Sequence, residues 1–382
     1  MMDKFGKIRC SYPVLETQTY LDTPSTGLIS RESYEEIIKF LNVRYTNGGG
    51  FEWYIENWAR TDQLRGTIAQ MINARADEIF FDKNCSSILN IISSGLDFQS
   101  GSNVVTTDLA FPGTAYTWMN QARRGLELRR VKSERGMVPY ELLIDAIDDK
   151  TIAVSLCMVE FSSGFKHDVL RIGKYCRERD ILLIIDASQC IGALEINVDK
   201  MNIDFLAVSS YKWLNNLLGI GFGYINRNLI GKIDQKYMGW VGTPDRMDYS
   251  RTKLEYNKGA QRYELGGLNW IGLRGLETAI KIYLDLGKKE VEEYILGLTE
   301  YIYKKVEETP EIGIMGPYPK ENRSGISFIT FPKSWRLNDK ILYENKIRAH
   351  VSGENLIRVG VHFYNNKEDI DRLFEFLKNY SK

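Results

Sequence analysis

Two stretches, Ile181-Leu-Leu-Ile-Ile-Asp186-Ala-Ser-Gln189 and Phe205-Leu-Ala-Val-Ser-Ser210-Tyr-Lys212-Trp213, decide the fold. Each opens as a short unbroken apolar run, the pattern of a strand buried on both faces of a parallel sheet. Each then turns polar where the strand would end. Open parallel sheets bind ligands outside the carboxyl ends of their strands. The spacing therefore predicts that the Asp186 carboxylate and the Lys212 amine face one cleft.

Working outward, further β-rich runs fall at Val104–Thr107, Thr151–Val159 and Gly221–Ile225. Helix-like stretches separate them, as in βαβ units. Asp168–Arg179 places Leu170, Ile172, Gly173 and Cys176 at helical spacing, which predicts an amphipathic helix covering the sheet. The Gly-rich stretch Tyr45–Phe51 reads as a loop. Beyond residue 270 the pattern changes to charged helices over Leu273–Leu286 and Lys289–Glu308. Strands at Gly325–Phe331 and Leu356–His362 and a last helix at Lys367–Tyr380 follow. An α/β layer followed by a smaller α+β unit is expected, divided into an N-terminal arm over 1–20, a large domain over 21–260 and a small one over 261–382.

The 382 residues carry 50 basic and 50 acidic side chains, so no global field draws the chain to nucleic acid or anionic lipid. Five scattered cysteines without a C-x-x-C pair suggest neither a disulfide framework nor a zinc site, and the three histidines lack metal-ligand spacing. No catalytic metal is expected. The N-terminal residues show no apolar run behind their charges, and eighteen apolar residues nowhere stand together. A cytoplasmic protein working on a small molecule is the expectation.

A strand-end aspartate often caps a turn and a lone lysine is usually solvated, so neither residue alone says much. Together they suit pyridoxal 5′-phosphate (PLP). That cofactor needs a lysine for its Schiff base and a carboxylate to keep its pyridine nitrogen protonated. A nicotinamide site is weaker: Gly219-Ile-Gly221-Phe-Gly223 runs into a strand instead of opening a helix and lacks the third glycine spacing.

Asp186-Ala-Ser-Gln189, Ser209-Ser-Tyr-Lys212-Trp-Leu, Arg262-Tyr-Glu-Leu-Gly-Gly-Leu-Asn269 and Arg358-Val-Gly-Val-His362-Phe-Tyr-Asn365 stand in the order seen in class V aminotransferases. The resemblance runs from Tyr20-Leu-Asp-Thr-Pro-Ser-Thr-Gly27 to Asn365-Asn-Lys-Glu-Asp369. It implies the fold type I architecture of PLP-dependent transferases, with a mainly parallel sheet, helices on both faces and a smaller C-terminal α+β domain. It also implies that Lys212 carries the cofactor, that Asp186 partners the pyridinium and that Gln189 donates to the phenolic oxygen. Cys85 and Ser86, opening a helix behind Asn84, would offer amides to the phosphate, with Ser209 and Tyr211 as side-chain ligands. Phe111 would stack on the ring, and Arg358 would hold the substrate carboxylate through its two-donor fork. Trp240 and Gly267 resemble contacts to a partner subunit's site and imply a homodimer. Gly267 stands where relatives place a hydroxyl, so only its backbone N–H could serve.

Among the family's reactions, transamination is the leading expectation. A C–S or C–C lyase of the cystine lyase or kynureninase kind and an isopenicillin-N-epimerase-like activity are alternatives. A non-catalytic protein that kept the fold is disfavoured by the presence of Lys212, Asp186 and Arg358 together. Cysteine desulfurases need a nucleophilic cysteine in the C-terminal part, and none follows Cys190. Tyr211 and Phe111 also replace histidines typical of that branch. Tyr45–Tyr54 and Gly239–Asp245 are candidates for lining the distal substrate pocket.

Overall fold

The computed structural model describes residues 2–380. A seven-stranded sheet lies at its centre. The strands are β1 (Ile79–Asp82), β2 (Asn103–Thr107), β3 (Glu127–Val131), β4 (Thr151–Cys157), β5 (Leu182–Asp186), β6 (Phe205–Ser209) and β7 (Gly221–Ile225). Their spatial order is β1-β7-β6-β5-β4-β2-β3. β2 to β6 run parallel, while β7 is antiparallel to both β6 and β1. Gly221–Ile225 thus forms at the expected residues but reverses direction. The connection from Ser209 to Gly221 is too short for the crossover that parallel pairing requires.

The apolar runs are buried on both faces, as the reading of β5 and β6 requires. Around them lie α1 (Arg31–Asn47), α2 (Phe51–Ile72), α3 (Cys85–Gly95), α4 (Pro112–Met119) and α5 (Val169–Arg177). Asp168 caps α5, its side chain accepting from Arg171 N at 3.0 Å. The helix buries Val169, Ile172, Gly173 and Cys176. Leu170, expected on this face, is instead 56% exposed, because Val169 takes the position against the sheet. At Gly173 a Cβ would come within 1.9 Å of Met201 O, so only glycine lets this helix lie so close.

The expected loop over Tyr45–Phe51 is shorter than the sequence suggests. α1 continues through Asn47 and α2 begins at Phe51. Only Gly48, Gly49 and Gly50 separate them, all with positive φ. The glycines end one helix in a left-handed cap and start the next, and they do not create a long mobile segment.

After residue 260 come α6 (Trp270–Leu286) and α7 (Lys288–Glu307). Next is a four-stranded antiparallel sheet in which β8 (Ile326–Thr330) and β9 (Leu356–Gly360) are central. The last helix is α8 (Lys367–Tyr380). The N-terminal residues are tied to this region: Thr19–Tyr20 pairs in parallel with Ile347–Arg348, and Arg9 grips Asp369 through two hydrogen bonds of 2.7 and 2.9 Å.

One buried ion pair fastens the helical layer to the sheet edge. Arg65 of α2 reaches Glu264 through NH1 at 2.5 Å and NH2 at 2.9 Å, and Glu264 also accepts from Phe81 N at 2.8 Å. Both side chains are essentially inaccessible. Glu264→Ala leaves the buried Arg65 guanidinium with only Asp62 at 3.3 Å and the Ile79 carbonyl at 3.1 Å, and it should cost about 3 kcal/mol of stability. Urea unfolding monitored by circular dichroism measures this, and an unchanged midpoint would show that the pair fastens nothing.

Candidate active site

A cavity of about 320 Å³ opens at the carboxyl edge of the sheet, where β4, β5 and β6 end side by side. Asp186 terminates β5 and is 5% exposed. Its Oδ1 accepts from Ser188 N at 2.9 Å and its Oδ2 from Thr114 Oγ1 at 3.1 Å. The Cys157 thiol lies 4.0 Å from the same Oδ2. Lys212 stands on the turn after β6, 9% exposed, and lines the same cavity. The expected meeting of acid and amine is therefore present.

Several elements press on the lysine turn. Gly27 N donates to Tyr211 O at 2.9 Å, and Asn215 N to Lys212 O at 3.0 Å. A Cβ at Gly27 would lie 1.8 Å from Lys212 O, so the 22–27 segment can pack here only with glycine at that position. Burial pushes the Lys212 pKa below its ordinary value, with Asp186 opposing and Arg358 reinforcing the shift.

At the other end of the cavity α3 begins. Asn84 caps it, its side chain accepting from Ser87 N at 2.9 Å. Cys85 N donates to Ser209 Oγ at 2.9 Å, and Ile88 N to Asn84 O. Among the described residues the Ser86 amide meets no acceptor, so it is free for an anion at the positive end of an eleven-residue helix. Ser209 lines the cavity, with its hydroxyl already accepting from Cys85 N; Tyr211 also lines it.

Phe111 is 40% exposed at the cavity, edge-on to Phe161 with ring centroids 5.2 Å apart, and its own centroid lies 5.3 Å from Lys212 Nζ. Gln189 is held by two bonds: its Nε2 donates to Pro24 O at 3.1 Å, and its Oε1 accepts from Trp213 Nε1 at 2.8 Å. That leaves one amide N–H of Gln189 uncommitted.

Arg358 of β9 donates through NH2 to Asp22 Oδ1 at 3.2 Å and to Ser25 Oγ. Its buried Nε has no partner among the described residues. Trp240 and Gly267 do not join the Lys212 cavity within this chain. Trp240 packs edge-on against Trp58, and Gly267 lines a neighbouring cavity of about 530 Å³ that shares Gly219 with the first. The distal candidates behave likewise, with Trp53 and Tyr54 packing on Trp270. The sequence reading missed Thr114, Ser188 and Cys157, which surround Asp186. The only local signal was their polarity beside an apolar run or a Pro-Gly helix start.

The family model described as aminotransferase class-V matches residues 19–373. The chain is 27% identical to a probable cysteine desulfurase of Methanothermobacter thermautotrophicus, over 97% of this chain and 96% of the relative. Its fold is similar to that of the apo cysteine desulfurase from Thermococcus onnurineus NA1, with a TM-score of 0.88 and 22% identity over 99% and 98% of the two chains. It is also similar to the cystine C–S lyase C-DES in complex with its product cysteine persulfide. That TM-score is 0.87, at 20% identity over 96% of this chain and 98% of the other. This chain belongs to the class V aminotransferase family, whose members depend on PLP. Cysteine desulfurase is the name carried by both the Methanothermobacter relative and the Thermococcus structure.

The residues fit PLP. A hydrogen-bonded carboxylate, a buried amine and a free helix-start amide are spaced along one cavity, answering the pyridine nitrogen, the aldehyde and the phosphate. Thr114→Val keeps the side-chain shape and removes a hydrogen bond to the Asp186 carboxylate. PLP should then bind about tenfold or more weakly. Absorbance titration of the apoprotein measures this, and unaltered affinity would remove Thr114 from any part in orienting Asp186.

Proposed function

We propose that the chain is a PLP-dependent aminotransferase acting on a small amino acid, with Lys212 as the residue that moves the proton. The observation that carries the reading is the buried Lys212 amine sharing one cavity with Asp186. Bound PLP supplies an electron sink that makes the Cα proton of an attached amino acid acidic. Lys212, its pKa lowered by burial, is present as free amine in larger fraction near neutral pH, so it can take that proton from Cα and return it at C4′ of the cofactor. Asp186 would hold the pyridine nitrogen protonated, and its own bonds to Ser188 and Thr114 keep it aimed. Gln189 would donate to the phenolic oxygen, the Ser86 amide would receive the phosphate, and Phe111 would cover the ring, all three lining the cavity.

Arg358 takes the substrate α-carboxylate. Its unpartnered Nε and its NH2, now on Asp22 and Ser25, form the planar fork that a carboxylate matches. In a homodimer, Trp240 and the Gly267 backbone serve the site of a second copy.

Transamination needs no nucleophile beyond Lys212, whereas desulfuration needs a thiolate to accept sulfur. The thiols lining this cavity, Cys85 and Cys157, are buried, and burial first and then the Asp186 charge push their pKa values well up. Neither is a ready nucleophile. Transamination, which asks for no thiolate, suits this cavity better than desulfuration.

The test is a half-reaction: PLP-loaded protein is mixed with single amino acids and no keto acid. Stoichiometric conversion of the visible cofactor band to that of pyridoxamine phosphate, with one equivalent of keto acid, is expected. Lys212→Ala should give none. Many turnovers releasing pyruvate with ammonia or sulfide would replace transamination by lyase or desulfurase chemistry. Arg358→Ala should raise KM for the amino acid about 10–100-fold with a smaller change in kcat. An unchanged KM in steady-state assays would take the carboxylate away from Arg358.

A further inference from the structure

Beside the lysine turn lies a network that the proposed chemistry does not use. Trp213 follows Lys212 directly and is 1% exposed. Its indole projects into the C-terminal unit, where a Cβ at Gly325 would lie 2.6 Å from the ring. On one side His362 stacks against it, with ring centroids 5.3 Å apart and planes 24° apart, and Tyr364 stacks on His362 at 4.8 Å and 8°.

The hydrogen bonds of His362 determine its tautomer. Phe363 N donates to Nδ1 at 2.7 Å, so Nδ1 carries no proton. Nε2 therefore bears the hydrogen and donates it to Trp213 O at 3.0 Å. Protonation would set Nδ1–H against the Phe363 N–H. Complete burial opposes it as well, pushing the His362 pKa down to about 3. The ring is neutral throughout the physiological range.

One further link leaves the same tryptophan. Its indole N–H holds the Gln189 carbonyl at 2.8 Å, which fixes which end of that amide is the donor; Gln189 Nε2 in turn donates to Pro24 O. His362 also lies two residues beyond the end of β9, the strand that carries Arg358.

We propose that His362 and Trp213 are positioning residues that couple the Arg358 strand to the electronics of the cofactor. His362 holds the Trp213 backbone and ring in place. Trp213 holds the Gln189 amide so that its remaining N–H is presented to the phenolic oxygen. The inference rests on the proposed roles of Lys212 and Gln189. An N–H donated to that oxygen competes with the protonated lysine–cofactor nitrogen for the same electron pair. Losing it strengthens the hold on that nitrogen's proton, so the pH midpoint of the visible cofactor band moves upward.

The experiment is a pH titration of the visible band of holoenzyme without substrate. Trp213→Phe keeps an aromatic ring and removes the indole N–H, while His362→Phe keeps a ring and removes both imidazole bonds. Each should raise the midpoint by about one pH unit, the equivalent of one hydrogen bond to the charged group. His362→Gln, which can both donate and accept, should restore it towards wild type. If His362→Phe does not fold, Trp213→Phe decides alone. A visible band whose midpoint is unmoved in Trp213→Phe overturns the coupling while leaving the active-site assignment intact. A wild-type holoprotein with no visible band overturns the assignment itself.

Discussion

An ionisable pair taken almost wholly out of water is the constraint on which the rest of the structure depends. A carboxylate such as Asp186, 5% exposed, is tolerated only where hydrogen bonds and an opposite charge replace its hydration. That demand dictates the surroundings. β5 must lie between β4 and β6, so that Cys157, Asp186 and Ala207 stand in register and the sheet edge faces one cavity. The turn after β5 must bring the Ser188 amide back to Oδ1, and α4 must start early enough for Thr114 to reach Oδ2. Lys212 needs the same negative charge to offset its own burial.

The segment from Asp22 to Gly27 meets every part of this arrangement. Asp22 and Ser25 hold Arg358, Pro24 O holds Gln189, and Gly27 N holds the lysine turn through Tyr211 O. Pro24 also lies so close to Gly360 that a Cβ there would stand 2.1 Å from the proline ring. Four of these six consecutive residues thus touch the groups proposed for the substrate carboxylate, the cofactor's phenolic oxygen and the cofactor-bearing amine. A carboxylate arriving at Arg358 would compete with Asp22, so events at the rim reach the interior along covalent bonds.

Much of this was legible because it is written in hydrophobic pattern. β5, β6 and β7 form within a residue of the expected limits, and Lys367–Tyr380 is a helix over the expected span, because an apolar period is a local property. The direction of β7 was not legible, since an apolar run reads the same for parallel and antiparallel pairing. Only the short connection after Lys212 distinguishes them. α1 and α2 passed unread: a polar, weakly amphipathic stretch with three glycines in it resembles a loop until its packing against α6 is known. In the site, Asp186 and Lys212 stood out as polar ends of apolar strands. Thr114, two residues into a short helix, carries no pattern of its own, and the contacts of Arg358 with Asp22 and Ser25 join positions more than 330 residues apart, beyond the reach of any local pattern.

That separation has a consequence for how the protein comes into being on the ribosome. Ile347 and Arg348 are needed before Thr19 and Tyr20 have a strand to pair with, and β1 must wait for β7 before it has a neighbour in the sheet. Contacts of such high sequence separation form slowly, because the loop between them must close before any pairing rewards it. The stretch that carries Gly27 to the lysine turn is among the first to be synthesised, yet it has no partner there until Tyr211 has been made. A nascent chain can complete its central sheet, residues 79–225, while Arg358, which Asp22 and Ser25 hold, is still unmade.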